Sequence, residues 1–64
     1  MVTINGVEEA VAGKSILEYL EDAGFQPATV VVEKNLEIIP RQDWDKEVLK
    51  DEDTVEVLRF VGGG

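Results

Sequence analysis

The sequence predicts an α+β fold: a mixed sheet of four to five strands with one helix packed across one face. Three observations predict it. Short β-branched segments alternate with turn signals along most of the chain. Only the stretch from Ser15 to Ala23 carries apolar residues at helical three- and four-residue spacings. The length of 64 residues allows a single domain. A helix of about nine residues spans only ~14 Å, enough to cover one sheet face and too little to build a bundle.

Val2-Thr3-Ile4 alternates and is β-branched, as a strand requires. Asn5-Gly6 follows, and both residues tolerate the positive φ of a type I′ hairpin turn. The returning strand is expected over Val7 to Ala12, with Val7 and Val11 on one face, ended by Gly13-Lys14. Ser15 and Glu18 then form the S-x-x-E pattern of a capping box. Ile16, Leu17, Leu20 and Ala23 make the apolar face of the helix, while Glu18, Glu21 and Asp22 fall mostly on the other side. Gly24 takes the left-handed position after the helix, Phe25 packs back on the last turn, and Pro27 forbids continuation.

Thr29 to Lys34 reads as the best strand, and Val30-Val31-Val32 implies burial on more than one side. Asn35-Leu36 reads as a turn. Glu37-Ile38-Ile39 is a short strand stopped by Pro40, which suits a sheet edge. Arg41 to Lys46 is a loop or short helical turn around Trp44, whose indole is expected over the sheet edge. Arg41 is expected to pair with a carboxylate or grip the loop. Val48-Leu49 adds an apolar pair, Lys50 to Asp53 is a polar turn, and Thr54 to Val61 is the last strand. The order ββαβββ with one helix is the β-grasp architecture. Its first strand lies between the hairpin partner and the last strand, and that last strand runs parallel to it in a central place. The expected organisation is a β-grasp domain over 1–61 and a flexible glycine tail over 62–64.

Composition excludes most chemistry. Six Lys+Arg against fourteen Asp+Glu give a net charge of −8, which repels nucleic-acid phosphates and anionic membranes. There is no cysteine and no histidine. Disulfides, thiol catalysis, thiolate metal sites and the commonest general base are therefore absent. The acidic runs around Asp43, Asp45 and Glu47 and around Asp51, Glu52 and Asp53 lack the ligand spacing and loop glycine of an EF-hand. They read as solvated surface that steers the chain toward a basic patch on a partner. With 44% hydrophobic residues and no apolar run longer than three, the chain reads as a soluble, cytoplasmic domain without signal peptide or membrane span. Nothing demands an oligomer, so a monomer is expected.

The ending Gly62-Gly63-Gly64 is the most informative feature. Three residues without side chains pass a narrow channel and leave the final α-carboxylate accessible. A carboxylate activated inside another protein's active site needs both properties. The residues Asn5-Gly6, Ser15 to Leu20, Ile39-Pro40-Arg41-x-x-Trp44, Val48-Leu49-Lys50-Asp51-x-Asp53 and Arg59-Phe60-Val61-Gly62-Gly63-Gly64 carry a resemblance along essentially the whole chain. They resemble the ubiquitin-like sulfur carriers of thiamine biosynthesis, the ThiS/MoaD family.

That resemblance implies a carrier cycle rather than an enzyme. A ThiF-type adenylating enzyme spends ATP to convert the Gly64 carboxylate to an acyl-adenylate. Sulfur drawn from a cysteine desulfurase displaces AMP and leaves a thiocarboxylate. ThiG, the thiazole synthase, takes that sulfur into the thiazole ring. The chain itself is expected to bind no cofactor and no metal. Gly64 carries the reacting group, and Gly62 and Gly63 thread it.

Strand alternation places Val55 and Val57 under the helix and Leu58 and Phe60 on the opposite side, beside the tail. Leu58 and Phe60 are the candidate docking patch for the adenylating enzyme and thiazole synthase. The same ending also fits the small subunit of molybdopterin synthase, which shares the thiocarboxylate chemistry. It fits a ubiquitin-like modifier conjugated through Gly64 as well, and an interaction module with an inert tail.

Overall fold

The computed structural model describes residues 1–60. The chain forms one five-stranded sheet in the order β2-β1-β5-β3-β4, with a helix across one face. The strands are β1 (Val2–Ile4), β2 (Val7–Glu9), β3 (Val30–Lys34), β4 (Glu37–Ile38) and β5 (Thr54–Arg59), and α1 is Ile16–Asp22. β5 is central, parallel to β1 and antiparallel to β3. This is the β-grasp arrangement that the order of elements predicts.

Two turns set the register. Asn5 and Gly6 take φ of 51° and 84° and join β1 to β2, with Ile4 opposite Val7. Asn35 and Leu36 take φ of 53° and 71° and join β3 to β4, with Lys34 opposite Glu37. Both are two-residue hairpin loops with positive φ at each position, as a type I′ turn requires.

The helix is fixed at both ends. Ser15 Oγ accepts from the Glu18 amide at 3.1 Å, and Glu18 Oε1 accepts from the Ser15 amide at 3.0 Å. The next free amides donate outward: Ile16 to the Glu47 carbonyl at 2.9 Å and Leu17 to the Trp44 carbonyl at 3.0 Å. The irregular stretch after Pro40 thus satisfies the helix N-terminus. At the other end Gly24, at φ 86°, donates to Glu21 O and Phe25 donates to Leu20 O. These are the two bonds of a Schellman motif.

Ile16, Tyr19 and Leu20 pack on Val2, Ile4, Val30, Val32, Val55 and Val57, and Trp44 and Leu49 close the core. Trp44 is buried and its Nε1 donates to the Ile39 carbonyl at 2.9 Å, which anchors the stretch after Pro40. The Arg41 guanidinium lies 6.0 Å from the Trp44 ring centroid, and none of the ion pairs among the described residues includes it.

Several boundaries and faces depart from the sequence reading. β2 stops at Glu9 instead of Ala12, because β1 is only three residues long and offers no further partner. Val11 continues as irregular chain against the core. The helix buries Tyr19 in place of Leu17 and Ala23: the axis is rotated so that Leu17 is half-buried and Ala23 exposed. Thr29 closes a 3-10 turn (Pro27–Thr29) and is not part of β3. The three valines of β3 alternate, with Val30 and Val32 buried and Val31 half-buried on the other face. β5 ends at Arg59, and Val61 lies outside the described residues.

Candidate functional site

The candidate site is the C-terminal half of β5 with the sheet face around it. Gly62, Gly63 and Gly64 lie outside the described residues, so the site is built from what leads up to them. β5 is held on one side by five registered pairs, from Val30 opposite Arg59 to Lys34 opposite Val55. The Phe60 amide continues that ladder to the Thr29 carbonyl at 3.1 Å. On its other side β1 pairs only with Thr54 and Val55.

Two asparagines extend these ladders. Beyond the end of β1, the Asn5 side-chain amide replaces a strand: Val57 N–H donates to its Oδ1 at 2.8 Å and its Nδ2 donates to Val57 O at 3.3 Å. At the start of β5, Asn35 N donates to Thr54 O at 2.8 Å and Thr54 N donates to Asn35 Oδ1 at 2.9 Å. Each asparagine makes these bonds from the positive-φ position of its turn, where Asn is among the few tolerated residues.

Asn35 Nδ2 also donates to Asp53 Oδ1 at 3.0 Å, and the Lys50 amide donates to Asp53 Oδ2 at 2.9 Å. Lys34 Nζ stands 3.7 Å from Asp53 Oδ2 and 2.9 Å from Glu47 Oε2. Burial pushes the Asp53 carboxyl up, but the Asn35 and Lys50 donors and the Lys34 charge outweigh it and hold it below the usual carboxylate range. The hydrogen bond from Lys34 to Glu47 leads the causes that raise the lysine, against a loss from burial. Two of the acidic residues singled out in the sequence therefore brace the start of β5. A third, Asp51, binds the N-terminal ammonium at 2.6 Å. Among the described residues no three carboxylates gather as a metal cluster.

Leu58 and Phe60 stand on the face that α1 does not cover, 50% and 49% exposed. Register adds two residues that the sequence reading did not assign there. Val31 is directly opposite Leu58, and Ile38 lies on the same face through its pairing with Glu33. Phe60, Val31, Ile38, Pro40 and Arg41 border a shallow groove of about 190 Å³. The signal for Ile38 was available: a two-residue Asn35-Leu36 turn makes Lys34 face Glu37, and hence Glu33 face Ile38.

A sequence model of the ThiS family matches residues 2–64. The chain belongs to the ThiS family. It is 36% identical to the sulfur carrier protein ThiS of Bacillus subtilis over 50 residues, covering 78% of this chain and 76% of that one. The crystal structure of a thiamine biosynthesis protein (ThiS) from Geobacter metallireducens superposes with a TM-score of 0.80 at 34% identity, covering 98% and 97% of the two chains. A thiazole synthase of Magnetococcus marinus is 36% identical over 64 residues, 98% of this chain. This chain spans only 20% of that relative's length, so a domain like it exists there within a larger protein. The ThiS proteins of Escherichia coli and Bacillus subtilis, matched over 85% and 76% of their own length, are named sulfur carrier proteins. No helix among the described residues is long and apolar enough to cross a membrane.

Proposed function

We propose that this chain is a cytoplasmic sulfur carrier of thiamine biosynthesis, a protein cosubstrate whose reactive group is its own Gly64 carboxylate. The observation that carries the reading is the ThiS-family match through residue 64 of a chain with no cysteine or histidine. A thiocarboxylate on the main chain is itself the sulfur nucleophile, so a carrier of this family needs no cysteine of its own. Residues 1–61 act as the scaffold and Gly62, Gly63 and Gly64 as the tail.

The cycle has three chemical steps. A carboxylate oxygen of Gly64 attacks the α-phosphorus of ATP on a ThiF-type adenylating enzyme, and pyrophosphate leaves. A persulfide loaded by a cysteine desulfurase then adds its terminal sulfur to the acyl carbon, and a second thiol cleaves the resulting acyl disulfide, leaving the thiocarboxylate and a disulfide. The C–O bond to AMP breaks as the C–S bond forms. The thiocarboxylate goes to the thiazole synthase, ThiG. Occurrence of a related domain within a protein named thiazole synthase supports that pairing. The chain supplies positioning, with β5 aiming the tail and Leu58 and Phe60 docking both enzymes. ATP belongs to the activating enzyme.

Incubation with ATP, a matched adenylating enzyme and a sulfur source, followed by intact-mass measurement, tests this. Exchange of one oxygen for sulfur at the C-terminus is expected, and loss of the product when Gly64 is deleted. Isopeptide-linked targets without any thiocarboxylate would replace the carrier reading with that of a modifier.

A further inference from the structure

The uncovered sheet face is divided along β5. Its half nearest the C-terminal end is apolar, with Val31, Leu58 and Phe60, and Ile38 stands at the outer end of the next row, opposite Glu33. Its other half is acidic: Glu33 and Glu56 are directly opposed across β3 and β5, and Glu8 lies beyond them through its pairing with Thr3. Directly opposed residues on one face bring their Cβ atoms to about 5 Å, and like charges there destabilise the sheet.

No strand position on this face is basic. Of the six basic residues in the chain, only Lys34 and Arg59 lie in strands. Both fall on the helix side, Lys34 opposite Val55 and Arg59 opposite Val30. Lys34 is held by Glu47, and the Arg59 guanidinium sits 5.5 Å over the Phe25 ring. None of the ion pairs among the described residues includes Glu33 or Glu56. The two carboxylates flank a shallow concavity of about 450 Å³ that Leu36 and Thr54 also border. Leu36 is 92% exposed, an apolar wall beside two negative charges.

We infer that this concavity receives an arginine side chain from the protein that docks on the apolar half of the face, with the guanidinium between Glu33 and Glu56 and the methylenes against Leu36. The inference rests on the docking reading above and names the partner's chemistry. Charge complementarity selects a cation, and continuity with Leu58 and Val31 places it on the same partner surface. A planar guanidinium can donate to two carboxylates at once while its stem covers apolar surface, which an ammonium does less well. Two carboxylates are too few oxygens to hold a calcium ion unaided.

The test is calorimetric binding to the adenylating enzyme of the same genome, without ATP, at low and at raised salt. The double variant Glu33→Gln/Glu56→Gln is expected to bind at least tenfold more weakly at low salt and with a flatter salt dependence. Its melting temperature should equal or exceed that of the parent, since the repulsion is gone. The control Glu21→Gln/Asp45→Asn removes the same charge from exposed sites elsewhere and should stay within twofold. Equal weakening in both double variants would reduce the effect to net charge and overturn the inference. A change below twofold in the first variant, or no binding by the parent chain, would overturn it too. Failure of the carrier reading shows separately, as tight binding with no adenylate formed on addition of ATP.

Discussion

Val57 and Leu58 are neighbours in β5 and meet opposite environments. Val57 is 6% exposed under α1, and Leu58 is 50% exposed on the face with no helix. The same contrast runs through the whole sheet. The helix side is lined by Val2, Ile4, Val30, Val32, Val55 and Val57, each 6% exposed or less. The other side mixes carboxylates with exposed apolar residues. One face holds the molecule together, and the other is available to be read by a partner.

Breaking the inner face has the largest effect. Leu20→Ala removes a fully buried side chain from between helix and sheet and should cost about 3 kcal/mol, measured by urea unfolding. For a domain of this size that is a large part of the total. Asp53 comes next, at the margin of the core. Asp53→Ala leaves the Asn35 amide and the Lys50 N–H without their acceptor, at a cost of about 2 kcal/mol at neutral pH.

The pH dependence of that loss has a definite sign. The folded carboxyl titrates below its unfolded value, so its contribution is complete above about pH 4 and disappears as the pH falls through the folded pKa. Parent and variant stabilities should therefore converge in acid. Thermal melts at pH 7 and pH 3 check this; a constant gap would remove the role of the charge.

Leu36→Gly is smaller and of opposite sign. A left-handed residue with a Cβ is strained by about 1–2 kcal/mol, and glycine's greater unfolded-state freedom offsets part of the relief. A gain of about 0.5–1 kcal/mol is expected, read as a higher melting temperature. Smallest for the fold is Leu58→Ser/Phe60→Ser, which should change stability by no more than about 1 kcal/mol because both side chains are already half in water. The same variant should lose at least tenfold in affinity for the adenylating enzyme. Unfolding in place of that loss would move these residues from the docking face to the core.

The sequence reading reached the sheet order, the capped helix, the role of Trp44 and the exposure of Leu58 and Phe60, since each follows from local chemistry. Asn5-Gly6 needs positive φ, Ser15 and Glu18 satisfy each other, and alternation along β5 separates Val57 from Leu58. What stayed illegible depends on distant partners. Helical spacing alone ranked Leu17 and Ala23 above Tyr19, because the rotation of α1 is set by what it meets across the sheet. Asp53 read as one more solvated acid, since its partners Asn35 and Lys34 are 18 and 19 residues away in the chain. The face that Val31 and Ile38 share with Leu58 emerged only when the β3–β4 hairpin register was combined with the long-range β3–β5 pairing.

The central place of β5 has a mechanical consequence. A pull along the strand at its C-terminal end, such as an enzyme drawing the chain inward would exert, loads the β3 ladder, the β1 pairs and the Asn5 amide side by side. Bonds strained in shear must give way together, whereas those of an edge strand peel one after another. The scaffold therefore resists being unravelled from that end.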